Sequence, residues 1–298
     1  MKKAIFAVLI LFQISCSHSG HKQMDYGSNK QAGKYIDVND IKIYYEIYGK
    51  GEPLLLMHGG GGSIEDFICQ IPELARHFKV IAVDSRAQGR STDSEKEITY
   101  ALMASDMAVL IDKLDLGSVY VLGFSDGGNI GLEMAYGYPD KLKKLITSGA
   151  NYTHKNWTAR DDSVVMDPDD PIILRTRTIL EKYFSNPERL SPDPGRLPVI
   201  KKKLDNLWKN YPNFTPAQLK TIKTPALIIA GDHDLANIDQ TLTLFRSLPN
   251  SRLFIVPGAS HFALIEYPGL LNGVITDFLE TPFHRLDNRY FYKEPFSK

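Results

Sequence analysis

Residues 121–130 read VLGFSDGGNI, with a serine set in a glycine corner. Gly123 lies two residues before Ser125 and Gly127 two after. The apolar run SVYVLGF, from Ser118, leads in as a buried strand; Ile130, Met134 and Tyr138 then recur at helical spacing. A strand that turns into a helix through G-x-S-x-G lifts the serine hydroxyl above the strand ends, because only small neighbours let the two elements approach so closely. The helix N-terminus brings positive dipole and N–H groups to that oxygen. The pattern alone is common by chance; the strand before and the helix after make Ser125 a candidate nucleophile.

Outward from this corner the chain alternates. YIDVNDIKIYYEIYG, from Tyr35, holds two short strands about a turn at Asn39 and Asp40. The near-continuous apolar runs PLLLMHG (from Pro53), KVIAVDSR (from Lys79), KKLITSG (from Lys143), PALIIAG (from Pro225) and RLFIVPG (from Arg252) fit strands buried on both faces. Helical periodicity predicts helices over 64–77, 100–114, 127–138, 237–247 and 262–279. Such alternation is the mark of an α/β fold with a mostly parallel central sheet flanked by helices. The stretch 151–224 breaks the rhythm: it offers no buried strand, but helical pieces near 171–184 and 198–210. It reads as an inserted, mainly helical cap, with the core formed by 34–150 and 225–280 and a polar, aromatic extension over 281–298.

A serine hydroxyl needs a base, and the base needs an acid to hold its tautomer. His261, in VPGASHFALIEYP, lies just after the last predicted strand. LIIAGDHDLAN supplies two acids after a strand, Asp232 and Asp234. The order Ser, Asp, His, with the strand–turn–helix about Ser125, resembles the α/β-hydrolase superfamily from about Tyr35 to Glu280. The resemblance implies G-x-x-D spacing for the acid, so Gly231 selects Asp234 and leaves Asp232 to brace the loop. It also implies two oxyanion donors: the backbone N–H of Asp126, and that of Gly60 in the H-G-x turn of LLLMHGGGGS. His58 is expected to brace that turn. DSRAQGRS, residues 84–91, resembles the family's D-x-R-G-x-G-x-S turn, with Ala87 where the first glycine is usual, which bears on the turn's geometry rather than on the active site.

A serine in place of aspartate sets the chain apart from dehalogenase-type and epoxide-hydrolase-type relatives. The expectation is a hydrolase of small carboxylic esters or lactones, working without cofactor or metal. Aminoacyl-ester or aminopeptidase activity, cofactor-free perhydrolysis and C–C bond hydrolysis are the alternatives, and an inactive binding protein is the alternative outside enzymes. GFSDGG also resembles the motif of biphenyl-hydrolase-like enzymes that act on amino-acid esters, so the Asp126 side chain either receives a substrate ammonium or pairs within the protein. Trp157 and Trp208, in the cap, are candidate pocket residues.

With 298 residues, 43% apolar and 23% charged, the chain is ordinary for a globular protein. Lys+Arg and Asp+Glu are both 35, so no basic excess points to nucleic acid. The first residues, MKKAIFAVLILFQISCSHSG, carry two lysines, a short apolar run and small residues around Cys16. That is the layout of a bacterial secretory signal over 1–16, and it resembles a lipoprotein signal in which Cys16 is lipidated, giving an exported, periplasmic or membrane-anchored protein. Residues 17–33 then read as a flexible tether. Cys69, the only other cysteine, is left without an intrachain partner if Cys16 is lipidated or removed.

Overall fold

The computed structural model describes residues 25–155, 167–184 and 189–284, the side chains of 183 and 184 excepted. Strands β1 (Gly33–Val38) and β2 (Ile41–Tyr48) form an antiparallel hairpin, and Asn39 takes the left-handed conformation at its turn (φ 49°). Then follow β3 (Pro53–Met57), β4 (Lys79–Val83), β5 (Val119–Phe124), β6 (Leu142–Ser148), β7 (Ala226–His233) and β8 (Ser251–Ser260). They make one eight-stranded sheet in the order β1-β2-β4-β3-β5-β6-β7-β8. β2 meets β4 antiparallel; from β4 to β8 every pairing is parallel.

Both faces of this sheet are covered, and the residues of β3 divide between them with period two. Leu55 and Met57 join one core with Met103, Met107 and Leu110 of α2 (Tyr100–Lys113) and Ile130 and Met134 of α3 (Asp126–Gly137). Leu54 and Leu56 join the other, with Ile64, Phe67 and Leu271, Ile275 and Phe278 of α9 (Pro268–Glu280). Each such side chain fully removed from water contributes about 1.5–3 kcal/mol, which is why these runs carry no polar alternation. The chain leaves β3 for β4 on one side and reaches β5 on the other. The loops after β3 and β5 therefore flank the topological switch point, where α/β sheets bind their ligands.

Two expected helices are broken. Residues 64–77 form a 3-10 turn, Ile64–Phe67, and a one-turn helix α1, Ile71–Leu74, with Pro72 at its start. The last helix divides into α8 (Ala263–Glu266) and α9, because Pro268 has no N–H to continue the first. The tether expected over 17–33 also gives way in its described part. Glu46, fully buried, accepts hydrogen bonds from Gly27 N (2.7 Å), Asn29 N (3.0 Å) and the hydroxyls of Tyr44 and Tyr48 (both 2.7 Å). Residues 25–32 are thereby docked on β2 rather than free. Cys69 is buried and disulfide-bonded. The secretory signal and Cys16 lie outside the described residues.

Between β6 and β7 lie α4 (Pro171–Phe184), α5 (Leu197–Asn210) and α6 (Pro216–Leu219), with an isolated bridge between Thr153 and Asn213. This helical segment is held to the sheet domain by its own cations on the domain's carboxylates. Arg189 meets buried Glu65, and Arg196 (2.7 Å) and Lys203 (3.0 Å) share Asp93.

Candidate active site

Ser125 sits between β5 and α3 at φ 51°, ψ −117°, a conformation L-residues rarely adopt. The surrounding glycines explain how it is held. A Cβ on Gly123 would stand 2.2 Å from the Gly127 carbonyl oxygen, and one on Gly127 would stand 1.9 Å from that of Met57. Neither clash can be relieved by moving a side chain, so the corner tolerates only glycine. Ser125 N–H donates to Ser148 O at 2.7 Å, which pins the turn to the end of β6.

His261, one residue past β8, puts Nε2 3.0 Å from Ser125 Oγ and Nδ1 2.6 Å from Asp234 Oδ1. A carboxylate can only accept, so Nδ1 carries the proton and Nε2 is free to take one from the serine. Asp234 is buried, and its Oδ1 also accepts from Ala236 N at 2.9 Å. Asp232 points elsewhere: it accepts from His233 Nδ1 (2.7 Å) and Gly258 N (2.8 Å), which ties the C-terminal ends of β7 and β8 together. Gly149 gives the imidazole room, since a Cβ there would stand 2.8 Å from the ring. Nothing in its neighbourhood of the sequence marks it for that purpose.

Gly60 and Asp126 lie beside this relay. Among the described residues, neither backbone N–H has a hydrogen-bond partner. His58 supports the first loop from within. Its Nε2 accepts from Ser85 N (2.9 Å), so Nδ1 donates to Gly59 O (2.6 Å). Burial lowers its pKa to about 4, so the ring is neutral at ordinary pH.

The Asp126 carboxylate is buried and already paired. Oδ1 accepts from Tyr100 OH at 2.7 Å, and Oδ2 from Trp208 Nε1 at 2.8 Å. Burial raises its pKa against those two donors. Trp208 reaches in from α5, and its Cζ2 would lie 2.8 Å from a Cβ on Gly60, so the indole roofs that loop. Trp157, the other candidate pocket residue, lies outside the described residues. Tyr100 escapes sequence reading because its partner is 26 residues away and its own segment reads only as an amphipathic helix.

The chain resembles known proteins along most of its length. A family model described as the alpha/beta hydrolase fold matches residues 52–183. A protein of Azorhizobium caulinodans named as a carbamate hydrolase, RutD, is 36% identical over 257 residues, covering 82% of this chain and 97% of its own length. The human serine hydrolase BPHL is 27% identical over 274 residues, covering 86% of this chain and 88% of its own. Among solved structures, an enol-lactonase from Burkholderia xenovorans has the same fold, with a TM-score of 0.63 at 22% identity over 83% of this chain and 100% of that one. With the first of these relatives matched along nearly its whole length, the chain belongs to the α/β-hydrolase family and is a hydrolase.

Proposed function

We propose that the protein hydrolyses small, uncharged carboxylic esters or lactones through an acyl-enzyme. The observation that carries this reading is a continuous relay, Ser125 Oγ to His261 Nε2 at 3.0 Å and His261 Nδ1 to Asp234 at 2.6 Å, beside two unpartnered backbone N–H groups. Ser125 Oγ attacks the carbonyl carbon as His261 Nε2 takes its proton, and Asp234 stabilises the imidazolium. The N–H groups of Gly60 and Asp126 hold the negative oxygen of the tetrahedral intermediate. His261 then returns the proton to the departing alkoxide. Water, deprotonated by the same histidine, hydrolyses the acyl-enzyme and frees Ser125. The activities named for the carbamate hydrolase and the enol-lactonase share an acyl carbon bonded to a leaving heteroatom, and that shared chemistry supports an acyl substrate here.

The pairing of Asp126 favours an uncharged substrate. Each of its oxygens has a donor from the protein, and the group is buried beneath Trp208. Burial beneath Trp208 leaves a substrate ammonium little approach to these oxygens, so the aminoacyl-ester reading is the second choice. A panel of p-nitrophenyl esters, lactones, thioesters and aminoacyl amides against the purified chain tests both. Esters or lactones turn over fastest, and an aminoacyl ester and its des-amino analogue differ by less than about threefold in kcat/KM. A preference of tenfold or more for the amine reassigns Asp126 as its receptor. Failure of a fluorophosphonate to label Ser125 removes the serine mechanism altogether and favours a binding protein.

We also propose that the chain is exported, on the strength of its first residues. Cys16 and Cys69 are the only cysteines, so a lipid on Cys16 and an intrachain bridge exclude one another. Metabolic labelling with a palmitate analogue in a bacterial host gives a labelled, membrane-bound chain if Cys16 is acylated. An unlabelled, released chain leaves export without an anchor.

A further inference from the structure

The loop after β3 is a run of four glycines, Gly59–Gly62, so no side chain of its own sets its shape. Its amides are instead tied down from outside. Gly59 N–H donates to Asp66 Oδ2 at 2.9 Å, and Gly61 N–H to Gln88 Oε1 at 2.6 Å. Gly62 N–H donates to Gly59 O at 3.0 Å, and that oxygen also accepts from His58 Nδ1. The peptide plane that carries Gly60 N–H is thus fixed through its Gly59 carbonyl, and the next plane is fixed through Gly61 N–H. Gly60 N–H, between them, is the amide left over among the described residues.

Gln88 differs from the other braces because it comes from the loop after β4, 27 residues along the chain from Gly61. It is buried and held in turn. Left-handed residues flank it, Ala87 at φ 63° and Gly89 at φ 56°. Its own N–H donates to Ser85 O (3.0 Å), its carbonyl accepts from Ser91 N (3.1 Å), and its Nε2 donates to Arg86 O (3.4 Å). That last bond leaves Oε1 as the atom facing Gly61. The side chain is therefore both oriented and confined before any substrate arrives.

We infer that Gln88 is a positioning residue for the reaction: by holding Gly61 N–H it fixes the plane beyond Gly60, so the loop presents one donor, Gly60 N–H, to the developing oxyanion. The inference deepens the serine-hydrolase reading above and rests on it. Without the brace, Gly60 and Gly61 gain freedom, and the donor must be ordered during the reaction instead of before it. Gln88 also keeps Gly61 N–H from competing for the substrate carbonyl.

The test compares Gln88→Leu and Gln88→Met with the parent, using p-nitrophenyl acetate and phenylboronic acid. The boronate forms a tetrahedral adduct on the serine with an oxygen in the place of the oxyanion. Complete loss of one oxyanion donor costs about 10²–10³ in kcat, so loss of its aim alone is expected to cost about ten- to a hundredfold. KM should stay within about twofold and the boronate Ki should rise by the same factor as kcat falls. Melting temperature should hold within a few degrees. The unbranched Met variant serves where Leu unseats the turn. Either variant keeping the parent's kcat within about twofold overturns the inference, and so does a fall in kcat with the boronate Ki unchanged. Fluorophosphonate labelling of the parent separates the two levels: an unlabelled parent defeats the serine reading, whereas a labelled parent with unaffected variants defeats only the role of Gln88.

Discussion

Ser125→Ala is expected to lower kcat on the best ester of the panel by about 10⁴-fold or more while leaving the fold intact, and Ser125→Gly to do the same in a more stable protein. The first part follows from the relay: among the described residues, Ser125 Oγ is the hydroxyl that meets His261 Nε2, at 3.0 Å. The second follows from the backbone. At φ 51° and ψ −117° a residue with a Cβ carries about 1–3 kcal/mol of strain. Alanine keeps that Cβ and the strain with it. Glycine releases the strain but adds freedom to the unfolded chain, which costs about 0.5–1 kcal/mol. The net gain is about 1 kcal/mol, or about 2–4 °C in a chain of this size. Thermal unfolding of parent, alanine and glycine variants checks it. A glycine variant no more stable than the alanine variant would mean that the corner is not strained, and that Ser125 is exposed by the sheet alone.

The elbow was legible because its causes are local. Gly123, Ser125 and Gly127 stand within five residues, and the strand and helix beside them each have their own period. His261 and Asp234 were legible one step further out, through their places after predicted strands. What was hidden is whatever depends on two distant segments meeting. Asp126 could be read as bare or as paired, and it is the approach of Tyr100, 26 residues before it, and Trp208, 82 residues on, that pairs it. Gln88 sits in a turn whose glycine pattern Ala87 interrupts. The turn nevertheless forms, with Ala87 at φ 63°, because the fold holds an alanine in a conformation that costs about 1–2 kcal/mol. The helix expected over 64–77 fails for a local reason that periodicity does not see. Ser63 and Asp66 make a capping box around a single 3-10 turn, and Pro72 starts a new one. Residues 25–32 look like linker by composition. Their anchor, Glu46, lies in β2, where a carboxylate between Tyr44 and Tyr48 is the one visible hint.

Arg86 carries the largest expected loss of stability. Its side chain is fully buried, as is that of its partner Asp106. Nε and Nη2 donate to the two Asp106 oxygens at 2.8 Å, Nη2 also to Asp40 Oδ1 at 2.8 Å, and Nη1 to Ser94 Oγ at 3.0 Å. The Arg86 guanidinium holds the Asp40 carboxyl well below the usual range. Asp40 is part-exposed, however, and can turn to water when the arginine goes, so it adds little. Asp106 has no such exit. Arg86→Met leaves the buried carboxylate with Asn39 Nδ2 (2.8 Å) as its remaining side-chain donor and no counter-charge, and breaking a buried pair in this way costs about 3–5 kcal/mol. In a chain of this size that is a fall of about 10 °C in melting temperature. The loss belongs to the stranded charge more than to the missing attraction, so a second change should undo it. Arg86→Met with Asp106→Leu removes both charges at similar volume and is expected to recover at least half of the stability, as a coupling of about 2 kcal/mol in a double-mutant cycle. Additive losses would place the cost in packing. Activity discriminates further: Arg86 O accepts from Gln88 Nε2 through the backbone, which both variants keep. A double variant with restored stability should therefore regain the parent's kcat, because the loop beneath Gly60 depends on where the turn runs and not on the charge buried beneath it.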